Sequence, residues 1–192
     1  RPLKDAGVAG VAGMRDIRRA GMLHAGTIPL DQRAIFVYQG PRKERVASSA
    51  APYAGPVEVQ TLDEQLLIVP RDVFRSAGFD AETCAGWHLY GVDYSLSARA
   101  RGLKVYSLPV PVWHRSPGRV DADYYATLRR VMRKHRAEKV MYTTCGLWYT
   151  SLALNLLDLL LFAVRAEGGR WIGRNRHGAA PYLKTMRMML GL

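Results

Sequence analysis

Between Ala77 and Gly118 the chain gathers the side chains best suited to chemistry: the carboxylates Asp80 and Asp93, the imidazoles His88 and His114, and the aromatics Trp87, Tyr90 and Trp113. Carboxylates are ionised at neutral pH and accept hydrogen bonds from hydroxyls, while an imidazole exchanges its proton close to neutrality. An aromatic face lies flat against the C–H side of a sugar ring, so Trp together with Asp suits carbohydrate; the same mixture also packs cores. Upstream, the acidic pair Asp63-Glu64 reads either as a contact for ligand hydroxyls or as a solvated turn. Cys84 reads as a spectator, since a catalytic thiol needs an activating His in a defined geometry, which spacing alone does not supply.

These residues sit at the ends of regular elements. Val92, Leu96 and Ala100 recur at helical spacing from Gly91 on, and Gly102 supplies the C-terminal stop. Lys104 to Leu108 alternates as a strand; Pro109 and Pro111 then leave an edge strand ending at Trp113-His114. Before this region, Gly7 to Gly13 packs small residues where a strand must pass close to other backbone. Gly40 to Pro56 reads as a long surface loop, Val57 to Val69 as extended and apolar but interrupted by Asp63 and Glu64, and Arg71 to Ala77 as a short helix. Beyond Gly118, Asp121 caps a helix with Tyr124, Leu128, Val131 and His135 on one face, and Arg129, Arg130, Arg133, Lys134 and Arg136 around the rest.

From Met141 to Leu157 the chain carries no charge, and the apolar run continues past Asp158 to Val164. Its length invites a transmembrane reading. Against that, Ser151, Asn155, Asp158 and Arg165 form one polar stripe at helical spacing, and an Asp near a bilayer centre costs about 2.5–3.5 kcal/mol. A helix lying at a membrane interface, or docked in a groove, avoids the cost. Arg165, Arg170, Arg174, Arg176, Lys184 and Arg187 follow with Trp171 among them, the chemistry that meets anionic headgroups. An ordinary packed helix with a solvated basic tail fits equally well.

Composition frames the whole. With 192 residues, 48% of them hydrophobic and 23% charged, the chain should bury a real core, and disorder and low complexity are excluded. The net charge of +12 favours an anionic partner. Nucleic acid is disfavoured, because the basic residues cluster beyond residue 128 and no RNA-recognition aromatics, zinc finger or helix-turn-helix accompany them. Two cysteines, Cys84 and Cys145, make neither a disulfide framework nor a zinc site. The chain starts at Arg1 with no signal-peptide pattern, so no export is indicated.

The ordered string Gly78-Phe79-Asp80, Trp87-His88-Leu89-Tyr90, Val92-Asp93, Arg99-x-x-Gly102-Leu-Lys-Val-Tyr and Val110-x-Val-Trp-His114-x-Ser116 resembles the acceptor-side half of family-2 glycosyltransferases. The stretch VEVQTLDEQLLIVPR from Val57 looks like the strand that precedes it there. The likeness covers about Gly7 to Gly118. It implies an α/β fold: part of a GT-A-like (Rossmann-like) sheet with flanking helices over residues 1–119, followed by a basic helical tail over 120–192.

In function, the resemblance implies transfer of a sugar from a nucleotide-sugar donor to a carbohydrate or lipid-linked acceptor hydroxyl, with inversion, in polysaccharide or glycolipid assembly. A carboxylate takes the hydroxyl proton, and a divalent metal (Mn or Mg) stabilises the leaving diphosphate. Gly91 stands where many relatives carry the basic Asp, which leaves Asp93 or His88 as the base; Asp93 would otherwise cap and neutralise the helix start. Trp87, Tyr90, Asp63 and Glu64 are the acceptor-binding candidates, and His114 matches a metal-completing His. No Asp-x-Asp in suitable context occurs, so most metal ligands are expected upstream, with activity belonging to a longer parent. Such an enzyme would sit peripherally at the cytoplasmic face of an anionic membrane. The alternative is a noncatalytic carbohydrate- or membrane-binding module.

Overall fold

In the computed structural model the described residues are 3–16, 25–26, 32–35, 37–39, 44–45, 53–116, 119–171 and 179–192. In chain order the elements are β1 (Ala6–Gly10), β2 (Ala12–Met14), β3 (Arg33–Ile35), β4 (Val37–Gln39), β5 (Glu44–Arg45), β6 (Val57–Glu58), β7 (Thr61–Leu62), β8 (Leu67–Ile68), α1 (Arg71–Ser76), α2 (Tyr90–Ala100), β9 (Lys104–Ser107), β10 (Val112–His114), α3 (Ala122–Lys134), β11 (Val140–Thr143), β12 (Gly146–Tyr149), α4 (Leu152–Trp171) and α5 (Ala180–Leu190). The architecture is mixed α/β.

Small residues at the start of the chain let β1 run through the middle of the molecule. It pairs in parallel with β9 and antiparallel with β8, and β6 extends the sheet antiparallel on the far side of β9. A Cβ on Gly10 would lie 2.7 Å from the Leu66 carbonyl oxygen, so only glycine fits there. The extended stretch from Val57 to Val69 is interrupted at Asp63 and Glu64 and divides between two sheets: β6 and β8 belong to this one, whereas β7 pairs with β2, which also pairs with β3. The break leaves Asp63 and Glu64 in the turn between β7 and β8. Lys104 to Ser107 is an interior strand, and the two prolines carry the chain out to β10, which lies at the edge of a separate sheet, parallel to β4.

The helix expected before Gly102 forms as α2, and Gly102 itself takes φ +79°. Asp121 caps α3, accepting the Tyr124 N–H at 3.1 Å, and Tyr124, Leu128 and Val131 are buried along its inner face. The first part of the apolar run beyond residue 140 is not helix. Val140 to Tyr149 is rich in β-branched and aromatic residues around a Thr-Cys turn, and folds as the β11–β12 hairpin. Buried Gln60 fastens it: its Nε2 donates to the Val140 carbonyl at 2.9 Å and its Oε1 accepts the Tyr142 N–H at 2.8 Å. The neighbouring Thr61 hydroxyl donates to the Tyr142 carbonyl.

The largest cluster of buried side chains joins Leu89, Val92 and Leu96 to Leu128, Trp148, Leu159 and Met189, so the core crosses the boundary expected at residue 119. Part of the basic character read from α3 is spent at the edge of this core, in hydrogen bonds to backbone carbonyls. Arg129 donates to the Met188 and Met189 carbonyls at the end of α5, at 3.0 and 2.8 Å, where a cation complements the orphaned carbonyls of the helix. Arg130 donates to the Thr83 carbonyl at 2.7 Å. The surface loop expected over 40–56 lies largely outside the described residues, as do Arg174 and Arg176.

Candidate functional site

One cleft of about 800 Å³ collects Asp63, Glu64, Trp87, His88, Tyr90 and His114. Six of the seven residues picked out as candidates therefore meet, although they come from the β7–β8 turn, the start of α2 and the end of β10. The seventh, Asp93, is not among the residues of the cleft.

The α2 start is built by an uncommon backbone. Leu89 takes φ 66°, the one positive φ outside glycine among the described residues, and this turn separates His88 from Tyr90. Such a conformation costs about 1–3 kcal/mol and persists only where surrounding packing enforces it; the Leu89 side chain is buried in the main core. The β7–β8 turn sits directly over this end. Glu64 Oε1 accepts the Gly91 N–H at 3.2 Å, and the Tyr90 hydroxyl donates to the Glu64 carbonyl at 3.4 Å. A Cβ on Gly91 would lie 2.8 Å from the Leu62 carbonyl oxygen. This close approach explains why no acidic side chain stands at that position: the turn carrying Asp63 and Glu64 occupies its space.

Asp63 is held on both oxygens. Oδ1 accepts the Glu64 N–H at 3.0 Å, and Oδ2 accepts Gln65 Nε2 at 3.2 Å and the Thr144 hydroxyl at 3.1 Å. Burial first, then the hydrogen bond and charge of Asp63, push the Glu64 carboxyl well above its ordinary pKa. A folded pKa above the unfolded one contributes stability that is complete at acid pH and is lost as the pH climbs from the ordinary Glu value of 4.5 through the folded value. Glu64→Gln removes this dependence. In thermal melts at a series of pH values, the wild type should lose Tm relative to Glu64→Gln as pH rises through that window, and parallel curves would refute the shift.

On the opposite lip, His88 Nε2 lies 3.2 Å from Asp121 Oδ1, with both side chains partly buried. Asp121 is held below the usual carboxylate range by the Tyr124 N–H and by the neighbouring His88 and Arg119. Trp87 stands 88% exposed at the rim, free to receive a flat ligand. His114 Nδ1 and Arg33 Nε are both buried with no hydrogen-bond partner among the described residues, and both residues line the cleft. Orphaned polar atoms at a cleft wall are suited to a ligand that supplies the missing partner.

Asp93 is a correction to the sequence reading. Its side chain is buried, with Oδ2 2.8 Å from Lys134 Nζ and Oδ1 2.7 Å from His135 Nε2. Lys134 also reaches Asp80 Oδ2 at 2.9 Å, and Asp80 caps the following turn by accepting the N–H groups of Glu82 and Thr83. Two residues along α2 from the Gly91 that the turn touches, Asp93 ties α2 to α3 and does not line the cleft. Burial likewise pushes the Cys84 thiol up to about 12, which leaves it un-ionised.

Several cleft residues escaped the sequence. Arg33 belongs to no motif. Thr144 and Cys145 reach the cleft from the tip of the β11–β12 hairpin; the Thr-Thr-Cys-Gly stretch was the available turn signal inside an uncharged run. Asp121 was legible as a helix cap but not as the partner of His88.

The described residues include no group of three or more His, Cys, Asp or Glu that could hold a metal ion. His114 offers one nitrogen, which binds no metal tightly by itself, so the described residues do not make a metal centre. Compared with models of known protein families and with curated proteins, the sequence matches none.

Proposed function

We propose that this chain carries the acceptor side of a glycosyltransferase of the family-2 type, with a partial GT-A-like sheet supporting a cleft where a sugar passes from a nucleotide-sugar to an acceptor hydroxyl. The observation that supports it best is the convergence of Trp87, Tyr90, Asp63, Glu64, His88 and His114 on one cavity from three separate stretches of sequence. The acceptor ring lies against Trp87, and the carboxyl groups of Asp63 and Glu64 take its hydroxyls.

His88 is the base. Its imidazole accepts the acceptor proton as that oxygen attacks the anomeric carbon, the bond from carbon to the diphosphate oxygen breaks, and the diphosphate leaves with the electron pair. Asp121 holds the imidazole in place and stabilises the imidazolium that forms. The positive charges of Arg33 and Arg119, both lining the cleft, face the negative charge that develops on the leaving group. Holding acceptor and base together supplies much of the remaining effect.

The test is turnover of a panel of nucleotide-sugars with Mn or Mg and simple glycoside acceptors, comparing wild type with Trp87→Ala. Transfer should be detected, with the acceptor KM raised about tenfold or more in Trp87→Ala, because its exposed ring supports nothing else in the fold. Saccharide binding with no turnover for any donor would leave the noncatalytic module; neither binding nor turnover would remove the proposal.

A further inference from the structure

The long helix α4 turns its two faces the opposite way from a polar-out reading. Asn155, Leu159, Ala163 and Ala166 are buried against the core. Asn155 is fully engaged, with Oδ1 accepting the Tyr149 N–H at 2.9 Å and Nδ2 donating to the Tyr149 and Ser151 carbonyls at 2.6 and 3.0 Å. Asp158 Oδ2 accepts the Ala25 N–H at 2.5 Å. The middle of the polar stripe therefore holds the helix onto the protein, and the apolar residues face out.

Leu154, Leu157, Leu160, Leu161 and Val164 are between 45% and 64% exposed. At the turn angle of an α-helix they fall within a sector of about 120°. Exposed Arg165 stands at one rim of this sector and Glu167 at the other. On α5, which packs on α4 through the Phe162 and Tyr182 rings at 6.3 Å, the exposed positions interleave Leu183 and Leu190 with Lys184 and Arg187. From residue 151 onward, beyond the cations that α3 uses in the fold, the sequence holds six Lys and Arg against two Asp and Glu.

We propose that the outward face of α4, flanked by the cations of α5, docks flat on an anionic lipid bilayer. The charge chooses the occupant: protein interfaces are depleted in charge at their cores and in Lys throughout, whereas leucines interleaved with Lys and Arg match the boundary between acyl chains and anionic headgroups. Arg and Lys stems lie along apolar surface while their charged ends reach the phosphates. Spanning is excluded for α4, since no described helix is long and apolar enough to cross a membrane and Asn155 and Asp158 are committed to the protein. This proposal is independent of the glycosyltransferase reading.

The experiment is co-sedimentation of the whole chain with vesicles of phosphatidylglycerol or of phosphatidylcholine, over a salt series. Wild type should pellet with phosphatidylglycerol and release as salt rises, with little binding to phosphatidylcholine. Leu157→Asp/Val164→Asp should lower the partition roughly tenfold or more, with melting unchanged because both residues face outward. If that variant fails to fold, Leu157→Ser/Val164→Ser serves for the same comparison. Lys184→Glu/Arg187→Glu should weaken binding and flatten its salt dependence. No binding to phosphatidylglycerol, or equal binding by the outward-face variants, would overturn the proposal. So would a wild-type dimer that the same variants convert to monomer, since a second copy would then own the face.

Discussion

Replacing His88 with alanine should lower the turnover number for sugar transfer about 10²–10⁴-fold, the usual worth of a positioned general base. The loss should fall on kcat more than on the donor KM, because the imidazole acts on the proton that moves in the transition state and makes no donor contact in this assignment. Asp121→Asn keeps the shape but removes the charge that faces His88 across 3.2 Å, so its activity should lie between wild type and His88→Ala. Its melting temperature should fall only modestly, since Asn also caps helices well. Steady-state kinetics across these variants is the measurement. Full turnover in His88→Ala would move the proton to the Asp63–Glu64 turn, the other acidic wall of the cleft.

Asp93→Ala should cost about 3–5 kcal/mol of stability, the range for breaking a buried ion pair from one side. The magnitude follows from what remains: Lys134 keeps only Asp80, and His135 is left buried beside an empty space. For a chain of this size that corresponds to a Tm lower by about 6–20 °C. Asp93→Asn should fall in the same direction, because the amide keeps the volume and loses the charge that Lys134 requires. Neither substitution should change kcat at a temperature where the variant is folded. Thermal unfolding paired with low-temperature kinetics separates the two roles: a catalytic Asp93 would show the reverse pattern, an unchanged Tm and a collapsed kcat.

The contrast between His88 and Asp93 shows where sequence reasoning stops. Both were legible as candidates, because residue type and position near a helix start are one-dimensional facts. Which of them faces the cleft depends on what packs against each side of α2. The β7–β8 turn covers the Gly91 side and brings Asp63 and Glu64 with it, while α3 covers the Asp93 side and brings Lys134 and His135. Nothing local to residues 88–93 records that α3 returns there from more than 40 positions away. The same holds for Thr144, which meets Asp63 only because buried Gln60 pairs the hairpin edge to the strand before it.

By itself the sequence determined the pieces whose physics is local. Asp121 starts one helix because its carboxylate reaches the backbone three residues on, and Gly102 ends another because a left-handed residue is easiest without a Cβ. Small residues at the start required a buried strand, and the charge balance required a basic molecule. The tertiary structure alone decided the direction of each face. On α4 the spacing of polar and apolar residues was plain, yet either side could have been the inner one, and Asn155 and Asp158 settled it by finding backbone partners in the protein. A buried polar group goes where its hydrogen bonds can be completed, and the partner that fixes Asp158, Ala25, lies 133 positions away in the chain.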